Sequence, residues 1–133
     1  MYKRQGLGRI ANFINGELYG KVTSSSLGMI FPSGGPLPRH PSQLYEAFFE
    51  GAIVFLILWA IRKYKDPQPG YIGGIYLIAY SFFRFFIEFF RQPDEHIGFV
   101  LSIFSMGQLY CLLQLTIGVC VLFYLKNFYK NKN

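Results

Sequence analysis

Apolar residues fall into three runs that are long enough to cross a membrane: Leu44 to Ile61, Tyr71 to Phe90 and Met106 to Leu125. A helix of about twenty residues, rising about 1.5 Å per residue, spans the hydrocarbon of a bilayer. The third run is the clearest, because no charged residue occurs from Ile97 to Leu125. The pattern predicts an all-α integral membrane protein in which residues 1 to 133 form one membrane domain with three transmembrane helices.

The residues before the first run have a different pattern. Apolar side chains recur at helical spacing within residues 6 to 20, at Leu7, Ile10, Ile14 and Leu18. This spacing predicts a short amphipathic helix lying in the membrane interface. The serines, glycines and prolines of residues 23 to 41 disfavour regular structure and predict an exterior loop.

Composition supports the membrane class. The chain is 52% hydrophobic and only 15% charged, and a soluble domain would carry more charge. The net charge of +6 is explained by basic residues that flank membrane spans, so no nucleic-acid partner is predicted. Cys111 and Cys120 lie in the third run with no histidine nearby, which predicts neither a metal site nor a cofactor.

The positions of the basic residues predict the orientation. Several follow the first and third runs: Arg62, Lys63, Lys65, Lys126, Lys130 and Lys132. Because cytoplasmic segments carry an excess of Lys and Arg, the 62 to 70 loop and the C-terminus are expected in the cytoplasm. Residues 1 to 43 and the 91 to 105 loop are then exterior. Five basic residues among the first 43 point the other way unless they bind a ligand.

The second run contains charged residues inside an apolar segment. Tyr80, Arg84, Glu88 and Arg91 fall within about 80° of one helix face. An arginine in a membrane span is costly and by default marks a ligand or ion path. The functional interpretation is an anion site near the exterior edge of the membrane. The alternative is an Arg84 and Glu88 pair that only neutralises itself against another helix.

Two acidic residues lie four apart near the outer end of the first run. Glu46 and Glu50 would repel each other on one helix face, so they require basic partners, for which Arg9, Arg39 and Arg84 are candidates. The alternative is that both carboxylates reach water at the interface.

A histidine, His40, closes the loop before the first run. It is a candidate catalytic base, and the alternative is a solvated or capping residue. Arg9 and Arg84 are both expected at the depth of phospholipid headgroups. Because a guanidinium binds phosphate bidentately and stays charged when desolvated, the expected ligand is an anionic lipid headgroup.

Three stretches together resemble the prolipoprotein diacylglyceryl transferase family of bacteria. They are GRIANFINGELYG (Gly8 to Gly20), FPSGGPLPRHPSQLYEA (Phe31 to Ala47) and YSFFRFFIEFFRQPDE (Tyr80 to Glu95). One position departs from the family signature, because Ala11 stands where the family usually has glycine.

The resemblance implies transfer of the diacylglyceryl group of phosphatidylglycerol to the lipobox cysteine thiol of a prolipoprotein, at the outer side of the bacterial cytoplasmic membrane. It implies catalytic roles for Arg9 and Arg84, and His40 is the candidate base. Further positions match the family's phospholipid site, with two supporting residues beside them: Asn12, Glu17, Gly20, Tyr80 and Glu88, then Glu46 and Arg91.

The resemblance also implies a larger protein. Family members have seven spans and about twice this length, so the chain resembles their C-terminal portion. A partner chain that supplies the N-terminal half is one expectation. The other hypothesis is a non-catalytic membrane fragment that binds anionic phospholipid or docks onto a partner.

Overall fold

The computed structural model describes residues 2–92, 99–100 and 104–131. Four helices account for most of them: α1 (Tyr2–Ile14), α2 (Ser42–Lys65), α3 (Tyr71–Ile87) and α4 (Met106–Lys130). Two short strands, β1 (Phe99–Val100) and β2 (Phe104–Ser105), pair antiparallel just before α4. The helical class predicted from the sequence is therefore confirmed, apart from this strand pair.

Two of these helices are long and apolar enough to cross a membrane, namely α2 with 24 residues and α4 with 25. The helix α3 is apolar but has 17 residues, because it ends at Ile87 and residues 88 to 90 form a turn. Both longer helices continue past the predicted boundaries into lysine-containing ends, and lysine is a good helix former. The predicted exterior loop after α3 lies largely outside the described residues.

Polar and apolar side chains are distributed as expected for a protein in lipid. The side chains that are fully buried are mostly polar: Ser42, Gln43, Glu46, Glu50, Val54 and Ser81. Large apolar side chains of α4, such as Leu113 and Phe123, are 57% and 67% exposed. An exposed apolar surface of this kind marks contact with a membrane or another protein.

The first helix ends earlier than the apolar spacing predicts. It stops at Ile14, and the chain then turns through left-handed backbone at Gly16 and Leu18. Leu7 and Ile14 are 66% and 77% exposed, so the apolar face of α1 points away from the described part of the chain. Its polar face, which carries Arg9, is turned toward α2.

The predicted exterior loop lacks helix and sheet, apart from a short 3₁₀ turn at Pro32–Gly34, but it is well connected. The Arg39 backbone exchanges two hydrogen bonds with Met29, at 2.8 and 2.9 Å. The Arg39 side chain lies over the Tyr19 ring and donates to the Gly34 carbonyl and to the side chain of Gln92. This loop is therefore fastened both to the turn after α1 and to the segment after α3.

The contact between α3 and α4 depends on two glycines. A Cβ atom at Gly118 would lie 2.9 Å from Ile78 Cγ1 and 3.1 Å from the Gly74 carbonyl oxygen. A Cβ atom at Gly74 would lie 2.6 Å from Leu122 Cδ2. Small residues at a helix interface allow close backbone approach, which drives helix association in lipid.

We expect Gly118→Ala to lower the free energy of unfolding by about 1–3 kcal/mol, because the added methyl group overpacks the contact. Gly73→Ala is the matched control, since its Cβ would meet no atom of the described residues within 4 Å beyond its own stretch of helix. Thermal unfolding in detergent micelles, followed by circular dichroism, measures both. Equal midpoints for the two variants would contradict the close approach of α3 and α4.

Candidate functional site

Arg84 lies at the centre of a cluster of acidic side chains. Its guanidinium NH1 contacts Glu46 Oε1 at 2.8 Å and Glu50 Oε1 at 3.3 Å. Its NH2 contacts Glu88 Oε2 at 3.4 Å, one helical turn further along α3. The Arg84 side chain is only 11% exposed, so these carboxylates replace water as its surroundings. Arg84 is therefore a basic partner of both Glu46 and Glu50, as the sequence requires.

Arg9 enters the same cluster through the other oxygen of Glu46. Its Nε lies 2.6 Å from Glu46 Oε2, and its side chain is 21% exposed. Glu46 therefore bridges Arg9 on α1 and Arg84 on α3. No described residue pairs with the two terminal nitrogens of Arg9. Arg39, the third candidate partner for the acidic pair, binds elsewhere, because it holds the exterior loop instead.

A π-helical segment in α2 sets the geometry of the acidic pair. The wide turns run from Ala47 to Ile53, directly after Glu46 and through Glu50. On this segment Gly51 contacts α1, where a Cβ atom at Gly51 would lie 2.9 Å from Gly6 Cα. Segments of π-helix are rare and occur often at functional sites. Both Oε1 atoms reach the same nitrogen of Arg84 from this widened backbone.

Glu88 connects the cluster to α4. Its Oε1 accepts a hydrogen bond from Ser105 Oγ at 3.1 Å. Ser105 is also the N-cap of α4, in a capping box with Gln108. Gly107 makes room for the carboxylate, since a Cβ atom there would lie 2.6 Å from Glu88 Oε1. The cluster thus draws on α1, α2, α3 and the start of α4.

The charges of the cluster do not balance when all groups are ionised. Two guanidinium groups face three carboxylates. Glu50 is almost completely buried, and its Oε2 has no hydrogen-bond partner among the described residues. An unpaired carboxylate in a low dielectric is costly, so one further proton or cation is expected there. Arg9 is the exposed side of the cluster, from which a ligand can approach.

His40 lies at the end of α3 that carries Glu88. Its Nδ1 is 3.3 Å from the Tyr45 hydroxyl, and its ring centroid is 5.2 Å from that of Phe90. No described residue bonds its Nε2, so this nitrogen is an acceptor in the tautomer whose Nδ1–H donates to the Tyr45 hydroxyl. The structure therefore holds this histidine in one orientation beside an aromatic surface.

Comparison with known proteins identifies the group to which the chain is related. The family profile described as prolipoprotein diacylglyceryl transferase matches residues 2 to 124. The chain belongs to the prolipoprotein diacylglyceryl transferase family. The resemblance stated from the three sequence stretches is thereby confirmed.

Curated relatives of this family carry the name phosphatidylglycerol–prolipoprotein diacylglyceryl transferase. The chain is 59% identical over 120 residues to the protein of Chlorobaculum tepidum, which covers 90% of the chain and 41% of that relative. It is 57% identical over 114 residues to the protein of Rickettsia felis, covering 84% of the chain and 44% of the relative. The chain therefore spans less than half the length of these relatives.

Three further residues that the sequence predicts in the phospholipid site, Asn12, Glu17 and Tyr80, have other partners. Asn12 is half-buried, and its carbonyl accepts from the Glu17 backbone at 3.0 Å. Glu17 is exposed and pairs with Asn15. Tyr80 is half-buried one turn before Arg84, with its ring 5.7 Å from that of Tyr76. No described hydrogen bond or ion pair joins the side chains of Asn12, Glu17 and Tyr80 to the arginines.

Gly20 and Arg91 hold the turn after α1 against the segment after α3. They form an antiparallel backbone bridge, and the Gly20 N–H donates to the His40 carbonyl at 2.8 Å. A Cβ atom at Gly20 would lie 2.4 Å from the Phe90 carbonyl oxygen, so only glycine fits there. The contacts of Gly20 that the structure shows with Arg91 and His40 are therefore made by the backbone.

Two buried polar residues at the start of α2 were not identified from the sequence as candidate site residues, and Ser42, which the sequence offers as an N-cap, lies inside the helix after Pro41. Gln43 Nε2 donates to the Glu17 carbonyl at 2.6 Å, and Ser42 Oγ donates to the Leu18 carbonyl at 3.1 Å. They tie α2 to the turn that carries Glu17. Their position directly before the apolar run was the available signal. The sequence pattern does not identify the carbonyl groups to which they donate.

We expect Arg84→Gln to lower the free energy of unfolding by about 3–5 kcal/mol, because it leaves buried carboxylates without their cation. Adding Glu50→Gln to this variant is expected to restore part of the loss, since it removes one uncompensated charge. Chemical unfolding in detergent measures the three proteins.

Arg62→Gln is the matched control, because Arg62 is exposed and makes no ion pair among the described residues. If Arg84→Gln and Arg62→Gln unfold with the same free energy, the cluster does not stabilise the fold.

Proposed function

We propose that the chain forms part of an enzyme that transfers the diacylglyceryl group of phosphatidylglycerol to the lipobox cysteine thiol of a prolipoprotein. The observation that carries the proposal is the bridge from Arg9 through Glu46 to Arg84, in a chain of this family. The names of the relatives from Chlorobaculum tepidum and Rickettsia felis support the choice of substrates.

In the proposed reaction, the cysteine sulfur bonds to the terminal carbon of the diacylglyceryl group. The bond between that carbon and the phosphate oxygen breaks, and the electron pair leaves with glycerol phosphate. Negative charge therefore grows on the leaving group, where preorganised cations stabilise it. In this proposal the terminal nitrogens of Arg9 receive the phosphate, and Arg84, which contacts the other oxygen of Glu46, adds a second positive charge. His40 accepts the thiol proton through Nε2.

Other residues have supporting roles in this proposal. Glu46 and Glu88 orient the two arginines, and Asn12, Glu17 and Tyr80 line the approach of the headgroup. Gly20 and Arg91 fix the turn after α1, beside which the headgroup approaches Arg9. An apolar concavity of about 360 Å³ lies between the outer ends of α2 and α3 and includes Tyr45 and Phe90, the ring partners of His40. It suits an acyl chain of the lipid.

The proposed membrane arrangement has three spans. The third proposed span is α3 with its following turn, which is supported by its apolar sequence and its close packing along α4. The helix α1 then lies in the interface. The basic ends of α2 and α4 are in the cytoplasm, and the arginine cluster faces the exterior of the bacterial cytoplasmic membrane. A further polypeptide that corresponds to the rest of the relatives' length completes the site.

A second candidate function follows from the ion pairs that Arg84 forms. Because its guanidinium already contacts three carboxylates, the chain by itself is suited to binding an anionic headgroup through Arg9 without transfer. This function would make the chain a lipid-binding subunit of a larger assembly.

We expect Arg9→Gln to reduce transfer at least about a hundredfold, as removal of one donor from a developing anion does elsewhere. The assay combines the chain in phosphatidylglycerol nanodiscs with a lipobox peptide, alone and together with the unmatched portion of the Chlorobaculum tepidum relative. Mass spectrometry measures the thioether product and the released glycerol phosphate.

Arg62→Gln serves again as the control and is expected to keep full transfer. Transfer by Arg9→Gln at the rate of the unmodified protein would refute the assigned role of this arginine. Binding of phosphatidylglycerol with no transfer in either preparation would favour the second function.

A further inference from the structure

A second basic concavity lies at the opposite end of the molecule from the arginine cluster. It has a volume of about 540 Å³, and Lys65, Lys126 and Lys130 contribute to its wall together with Tyr71 and Tyr129. Tyr71 precedes Arg84 by thirteen residues on α3, which corresponds to about 20 Å along the helix axis. This lysine pocket is therefore a site distinct from the cluster around Glu46.

The fold brings the lysines of separate helices together. Gly70, with φ +94°, begins the approach of α3 to α4, and a Cβ atom there would lie 2.9 Å from Leu125 Cδ1. The Tyr129 hydroxyl donates to the Pro69 carbonyl at 3.2 Å, and the rings of Tyr71 and Tyr129 lie 6.3 Å apart. The turn between α2 and α3 is thus fastened to the last turns of α4, which places Lys65 beside Lys126.

The lysine pocket has an unbalanced positive charge. Lys126 and Lys130 are four residues apart on α4 and line the same wall, where like charges repel. Asp66 is the acidic residue in the lining, yet neither it nor the three lysines forms an ion pair within the described part of the chain. An anion placed between the ammonium groups would remove this repulsion.

Exposed aromatic residues locate the lysine pocket at the membrane surface. Trp59, Tyr64, Tyr124 and Phe128 are between 48% and 73% exposed near this end of the helices. Aromatic side chains of this kind form belts at the depth of the lipid headgroups. Basic pockets between helices at this depth bind anionic lipid headgroups. The occupant suited to this position is a lipid, because its acyl chains can lie along the apolar faces of α2 and α4.

We propose that the lysine pocket binds the phosphate of an anionic phospholipid in the leaflet opposite the arginine cluster. The ammonium groups of Lys65, Lys126 and Lys130 receive the phosphate oxygens, and Tyr71 and Tyr129 form the floor beneath the glycerol. This lipid is not consumed. It fixes the ends of α2 and α4 relative to each other, and its binding does not depend on the transferase reaction.

The chain contains a built-in reporter for this end, because Trp59 is its only tryptophan. The full chain is reconstituted into vesicles that contain brominated phosphatidylglycerol or brominated phosphatidylcholine, and quenching of Trp59 fluorescence gives the relative affinity of the two lipids. We expect stronger quenching by phosphatidylglycerol. The preference is expected to fall about fivefold for each lysine changed to Gln, and about a hundredfold for the triple variant.

Arg62→Gln is the matched control, since Arg62 is a basic residue at the same end that does not line the lysine pocket. Circular dichroism verifies that the variants keep their helix content. An equal loss of preference in Arg62→Gln and Lys126→Gln would overturn the proposal, because it would reveal general surface attraction. Release of the lipid by millimolar inorganic phosphate would also overturn it, in favour of a soluble anion.

Discussion

A guanidinium buried among apolar helices requires a counter-charge, and much of this fold follows from how Arg84 obtains one. Arg84 pairs with three carboxylates rather than one. Glu46 and Glu50 reach it from α2, and Glu88 reaches it from its own helix. Glu46 then shares its second oxygen with Arg9, so the N-terminal helix is held by the same interaction. Removing the central charge would leave Glu50 without its ion-pair partner, while Glu46 would keep only Arg9.

Close backbone contacts make this arrangement possible. Gly51 allows α1 to approach α2 near the acidic pair, and Gly107 leaves space for the Glu88 carboxylate at the start of α4. Gly118 allows α3 and α4 to pack together below the cluster. Charge pairing therefore determines which helices meet, and the absence of side chains at these contacts determines how closely they meet. The fully buried side chains are mostly polar and many large apolar side chains are exposed, which is the arrangement suited to lipid.

The sequence predicted the main features of this structure because they depend on local pattern. Apolar runs located the helices, and the charges inside the runs identified Arg84 and its acidic partners as candidates, while Arg9 was identified on the amphipathic segment before the first run. Helix ends were less accurate, since Ile14 and Ile87 end helices where the apolar pattern continues. The π-helical turns were not predicted, because the apolar pattern of residues 47 to 53 does not distinguish them from α-helical turns. The lysine pocket was not predicted either. Lys65 and Lys126 are far apart in the sequence, and only the folded chain brings them into one pocket wall.

The widened backbone of α2 makes the site sensitive to chain length as well as to residue type. A π-helical turn holds more residues than an α-helical turn, so deleting one residue between Ala47 and Ile53 would tighten it. The residues after Ile53 would keep their orientation, because the wide turn is what accommodates the additional residue. Val54 and Leu58 would therefore remain buried, whereas Glu46 and Glu50 would lie at a different angle to each other. A one-residue deletion between Glu46 and Glu50 would thus change the spacing of the two carboxylates that contact Arg84 and leave the rest of α2 in register.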